Sequence, residues 1–264
     1  MIRSAMMAII KKDLRESMSD KTTKFALFIL PLMMVLIMPG IMTAMAIYAP
    51  QELNEFAPIF KMLPIQFQLD DLVKTGYFYI MNYMMPGFFL LVPIMTASIA
   101  AGSSFAGEKE RKTLETLIYA PLTMHQLFAA KVLGALTLAL MVTAVAFLGF
   151  VGVAIVGSVM VYRKFVLDIG IWIVMLLLIV PALSLIGITV MVLASARART
   201  FQEAQQYGAI LVVPVMIIFM LPQIAGLFLY SVWQLALIGF GCLLVAFVLM
   251  RLASLRFTPE RLLK

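Results

Sequence analysis

The chain alternates long apolar stretches with short charged ones. Stretches without Asp, Glu, Lys or Arg run from Phe25 to Gln51, Thr75 to Gly107, Val132 to Tyr162, Ile169 to Ala196 and Ala204 to Met250. A membrane-spanning helix takes about 20 apolar residues. The last stretch is long enough for two, and Leu221-Pro222-Gln223 divides it, because proline lacks a backbone donor and clashes with the preceding turn. The pattern predicts an all-α membrane protein with six transmembrane helices, at 25–49, 77–106, 132–162, 169–196, 204–221 and 229–250. The whole of 1–264 reads as one membrane domain. The first apolar run is too long for a signal core, and Asp13, Glu16 and Asp20 precede it, so a cleaved signal peptide is rejected.

Composition agrees with the pattern. Of 264 residues, 64% are hydrophobic and 12% charged, with a mean hydropathy of +1.06. That excludes a water-soluble enzyme, which is nearer 45–50% apolar, and a disordered chain, which is polar. The net charge of +7 reads as Lys and Arg retained on the cytoplasmic side, not as a nucleic-acid footprint. With both termini inside, 16 of the 20 Lys and Arg fall inside; Lys61, Lys74, Arg163 and Lys164 fall outside. Cys242 and His125 are the only residues of their types, so neither an internal disulfide nor a Cys/His metal cluster is expected.

Three segments lie outside the bilayer in this reading. Residues 1–22 form an amphipathic helix, with Ile2, Ala5, Met6, Ile9, Ile10, Leu14 and Met18 on one face and Lys11, Lys12 and Arg15 on the other. Asp13 spoils the apolar edge. Such a helix can lie in the headgroup plane with its basic side toward anionic lipid. The outside loop, 50–76, carries Asp70-Asp71, which is a solvated face sooner than a cation site because further oxygen ligands are lacking. The segment 107–131 is a compact elbow: charges crowd Glu108 to Lys112, Leu114, Leu117 and Ile118 follow at helical spacing, and Pro121 breaks the chain. Thr123-Met124-His125-Gln126 then reads as a capping box that starts the next helix.

The spans as drawn contain no ionisable acid or base, which speaks against a proton-driven transporter and against an intramembrane hydrolase. No Gly-Lys dipeptide occurs, so the chain has no P-loop, and any ATP it uses is held by another chain. Ser98, Gly102 and Ala106 recur every fourth residue, a small-residue stripe for close helix approach. Packing within the chain, with Ala135 and Ala139 as the opposing face, and a seam between two copies are both open readings.

The elbow carries a resemblance. Phe105-Ala-Gly-Glu-Lys-Glu-Arg-Lys-Thr-Leu-Glu-Thr-Leu117, then Ala120-Pro-Leu-Thr123, then Lys131-Val-Leu-Gly134, is similar to permeases of the ABC type-2 exporter superfamily; Ala130 stands where the family has Gly before the lysine. The amphipathic N-terminus, six-span layout and long first outside loop match as well. The resemblance implies a multi-pass permease in the plasma membrane of a prokaryote, with both termini cytoplasmic. It would pair with a second copy or a related chain, and two copies of a cytoplasmic ABC ATPase would supply ATP and magnesium; this chain would bind no cofactor. The elbow would be the coupling helix, with Gly107, Glu108, Glu110, Arg111, Thr113, Leu114, Glu115, Leu117 and Pro121 meeting the ATPase, joined by Lys11, Lys12 and Arg15. The implied cargo is hydrophobic or amphipathic. A non-transporting scaffold and an ion-coupled transporter are the alternatives.

Overall fold

The computed structural model describes residues 2–52, 55, 71–111, 113, 122–198, 200–221 and 231–256. All regular structure among them is helical. Helix α1 runs Ile2–Ser19. It is followed by α2 (Lys21–Tyr48), α3 (Leu72–Glu110), α4 (Met124–Tyr162) and α5 (Ile169–Ser195). Helices α6 (Phe201–Ala209) and α7 (Val212–Phe219) are short, and α8 (Val232–Arg256) closes the order. Five of these, α2, α3, α4, α5 and α8, are long and apolar enough to cross a membrane. The stretch predicted as the fifth of six spans is instead α6 and α7, joined by a turn at Ile210–Leu211, and neither piece alone approaches a span's length.

Proline accounts for most irregularities in these helices. Its ring clashes with the carbonyl four residues earlier and it donates no hydrogen bond. Leu27, Asn82 and Leu177 stand four residues before Pro31, Pro86 and Pro181, and each lies in a widened π turn: Phe25–Ile29, Ile80–Met84 and Met175–Ile179. Ile210 stands four before Pro214, and there the helix breaks. A fourth π turn, Ser103–Gly107 in α3, has no proline behind it.

The helix starts follow local chemistry. The Thr123 hydroxyl accepts from Gln126 N while the Gln126 side chain accepts from Thr123 N, so the predicted capping box opens α4. Asp71 caps α3 through Val73 N; that is its role here, and Asp70 lies outside the described residues. Asp168 caps α5 through Gly170 N at 3.0 Å. Buried Asn82 fixes the short α4–α5 connection, donating to Val166 O at 3.0 Å and accepting from Asp168 N.

Helix α3 is the axis of the bundle: 83% of its most apolar window is buried, against 22% in α2 and 17% in α8. Toward one end Phe89, Phe147, Phe150 and Trp172 form an aromatic core. At the other, the small-residue stripe lets neighbours approach. A Cβ on Gly102 would lie 2.9 Å from the Phe201 ring, and one on Gly208 3.5 Å from Ser98 Cβ. Gly187 packs beside Ala97 and Ser98. The faces that meet Ser98 and Gly102 thus include α5 and α6; Ala135 and Ala139, the predicted opposing face, are buried on α4. Ala106 is buried in the same cluster.

Candidate functional site

The proline-free π turn of α3 is where charge enters the bundle. A π turn widens the helix and often marks a functional position. Lys131, about two turns into α4, points at it and is 1% exposed. Its ammonium donates to Ser104 O at 2.7 Å and to Ser104 Oγ at 3.1 Å. It also pairs with Glu108 Oε2, lies 3.8 Å from Asp13 Oδ2, and sits 5.2 Å from the centre of the Phe105 ring.

Helix α1 completes the cluster. Ser104 Oγ donates to Asp13 Oδ2 at 2.6 Å, and Lys12 Nζ donates to the other oxygen of Glu108 at 2.6 Å. One turn outward, Arg111 pairs with Glu16. Beneath the charges, Ile9 of α1 packs on Leu127 and Ala130 of α4. Gly134 admits the α1 backbone: a Cβ there would be 3.7 Å from Ile10 Cα. Asp13, read from sequence as a flaw in an apolar face, is therefore the buried face of α1.

Asp13 and Glu108 balance Lys12 and Lys131. Buried charges carry a large desolvation cost that only close partners offset; Asp13, Glu108 and Lys131 are buried and each has at least two, while Lys12 reaches in from the exposed side of α1. Burial pushes the Asp13 carboxyl above its ordinary value, against the pull of Lys131 and the Ser104 hydrogen bond. Burial pulls the Lys12 ammonium down, but the hydrogen bond and charge of Glu108 outweigh it, and the group lies above its ordinary value.

The predicted elbow residues divide into three sets. Gly107 is buried in the π turn, and Glu108 is buried in the ion cluster, where it faces this chain's own lysines. Glu110 and Arg111 are exposed and engaged within the chain, Glu110 with Phe201 N at 2.9 Å and Arg111 with Glu16. Thr113 is exposed, and its amide donates to Glu108 O at 3.0 Å. Leu114, Glu115, Leu117 and Pro121 lie outside the described residues. Lys11, Lys12 and Arg15 lie on the exposed side of α1, with Lys12 reaching back to Glu108. Sequence reasoning missed Lys131, Asp13 and Ser104 as a unit. Their available signal was one lysine between Ala130 and Val132 in an otherwise apolar run.

Compared with known proteins, residues 7–238 match the model of a family described as ABC-2 family transporter protein. No curated protein matches the chain.

Proposed function

The chain belongs to the ABC-2 transporter family, and we propose that it is the permease subunit of an ATP-driven exporter for a hydrophobic or amphipathic substrate. Proteins of this family are multi-pass membrane components that work with a separate ABC ATPase. The lack of any Gly-Lys dipeptide, and so of a P-loop, suits that division of labour.

The observation that carries the coupling reading is the ion cluster. It fastens α1, the end of α3 and the start of α4 into one unit, at the point where the elbow leaves α3. Helices α3 and α4 each have 39 residues, about 58 Å at 1.5 Å per residue, so a push on that unit is carried rigidly through the bilayer. The ATPase approaches residues 112–121 together with exposed Lys11 and Arg15, while Glu108 braces the elbow from inside. When the ATPase pair closes on ATP, the elbows of two permease copies, or of this chain and a related one, move together and the pathway between them opens outward. A ligand shifts such an equilibrium only by holding the two states differently.

Two features support six crossings with both termini cytoplasmic. The N-terminal end of α6 meets Glu110, and Met220, just after α7, meets Gly87. Those α3 residues are 23 apart, roughly 35 Å at 1.5 Å per residue, which matches a hydrocarbon core of about 30 Å. The α6–α7 pair is then a broken span. Tyr48 and Trp233, 85% and 81% exposed, stand at the opposite end from Lys21, Lys24 and Arg251, as an interfacial aromatic belt requires.

The test is mild-detergent purification of the tagged chain from native membranes, with mass spectrometry of what accompanies it. A soluble P-loop ATPase in near-equal amount is expected. Its absence from preparations that keep the permease copies together would favour a non-transporting scaffold.

A further inference from the structure

Glu108 and Glu110 stand two residues apart and therefore about 200° apart around the helix, so they leave α3 on opposite sides. Glu108 turns to α1 and α4. Glu110 turns to α6, where its Oε2 accepts from Phe201 N at 2.9 Å. That amide is one of the first four of a helix, which have no acceptor within the helix itself. Thr200 takes the amide of Glu203, and Glu110 takes the amide of Phe201. From there α6 follows α3 inward, with the Phe201 ring over Gly102 and Gln205 Nε2 donating to Ser98 O at 3.3 Å. Past Gly208 the chain turns at Ile210–Leu211, where Pro214 prevents the helix from continuing.

We propose that Glu110 is the positioning residue that hands elbow movement to α6, with Ile210–Leu211 as the hinge that lets α6 follow while α7 stays against Gly87. This rests on the coupling reading above. Among the described residues, other α3–α6 contacts include packing against glycine and serine and a hydrogen bond from a flexible glutamine, which permit sliding. The carboxylate–amide bond is directional and joins the elbow's first exposed turn to the start of α6. Glu110 is exposed, so removing its carboxylate strands no buried charge and leaves the bundle able to assemble.

The experiment uses the permease–ATPase complex in lipid nanodiscs, with Cys242→Ser as background and spin labels read by pulsed electron resonance. One pair, His125 and Arg251, reports the start of α4 beside the elbow. The other, Gln202 and Arg251, reports α6. All three positions are exposed. Trapping with ATP and vanadate is expected to shift both distance distributions in the parent. In Glu110→Ala the first shift persists and the second is lost; in Glu110→Gln, which keeps a carbonyl acceptor, the second returns. A full α6 shift in Glu110→Ala, with the His125 shift intact, overturns the role of Glu110 alone. Absence of any His125 shift in the parent overturns the coupling reading and this proposal with it.

Discussion

The Lys131 ammonium and the Glu108 carboxylate pair inside the bundle, 1% and 3% exposed as side chains, from two helices whose connecting elbow lies between them. Removing one member of a buried pair strands the other, at a cost of about 3–5 kcal/mol. Lys131→Met is therefore expected to lower stability by that amount, measured as the unfolding midpoint of the purified protein in detergent. The exchange Lys131→Glu with Glu108→Lys is expected not to restore it. Ser104 O accepts from Lys131, and a carboxylate in that place would face a carbonyl with nothing to donate. Full recovery in the exchanged protein would refute this account of the cluster.

Asp13, within α1, and Asp20, the residue that joins α1 to α2, are expected to respond to pH with opposite signs. Burial raises the Asp13 carboxyl. Its charged form costs stability above the raised folded value, and the cost is relieved as pH falls through it. Asp13→Asn still accepts from Ser104 but takes a charge from beside Lys131; it should lack the gain that the parent makes on acidification. Hydrogen bonds from Thr23 lower Asp20. That stabilisation is present above the unfolded value and lost as pH falls through the lowered folded one, so the penalty of Asp20→Ala should shrink in acid. Thermal unfolding across pH for both variants decides it.

Much of the architecture was legible because the bilayer imposes its own period. Long uncharged runs could only be helices, and the start of α4 was marked by Thr123 with Gln126. Proline positions carried more than was drawn from them: each of Pro31, Pro86, Pro181 and Pro214 marks a wide turn or break four residues earlier. The site was half legible. The elbow motif located Glu108 and Glu110, but which way two carboxylates turn depends on the helices beside them, and no spacing within α3 encodes that. Lys131 was hidden because a single lysine in an apolar run reads as a boundary residue until a buried partner from elsewhere in the chain is seen.

Gly157 and Gly152 lie on α4 five residues apart and give an internally controlled test of packing. A Cβ on Gly157 would collide with the Tyr77 and Thr43 hydroxyls, while one on Gly152 meets nothing within 4 Å. Gly157→Ala should therefore destabilise by about 1–3 kcal/mol through overpacking. Gly152→Ala should stabilise by up to about 1 kcal/mol through helix propensity alone. Equal midpoints for the two variants would contradict the close approach of α2, α3 and α4 at that level.

The broken span makes two further demands that can be read without knowing the substrate. If α6 and α7 together cross the membrane, single cysteines at Gln202 and Ser231, in a Cys242→Ser background, label from opposite faces of sealed vesicles. Gln202 reacts only when the cytoplasmic side is open to a membrane-impermeant maleimide, and Ser231 only from the other. Labelling of both from one side would mean that α6 and α7 re-enter instead of crossing, leaving five spans and termini on opposite faces. The break itself is assigned to Pro214, whose ring opposes the Ile210 carbonyl. Pro214→Ala restores a donor at that point, and amide exchange at residues 210–214 should slow as the two pieces join. Unchanged exchange there would move the cause of the turn from the proline to the packing of Gly208 on Ser98. The Ile210–Leu211 hinge would then be set by α3 and α5, not by the local chain.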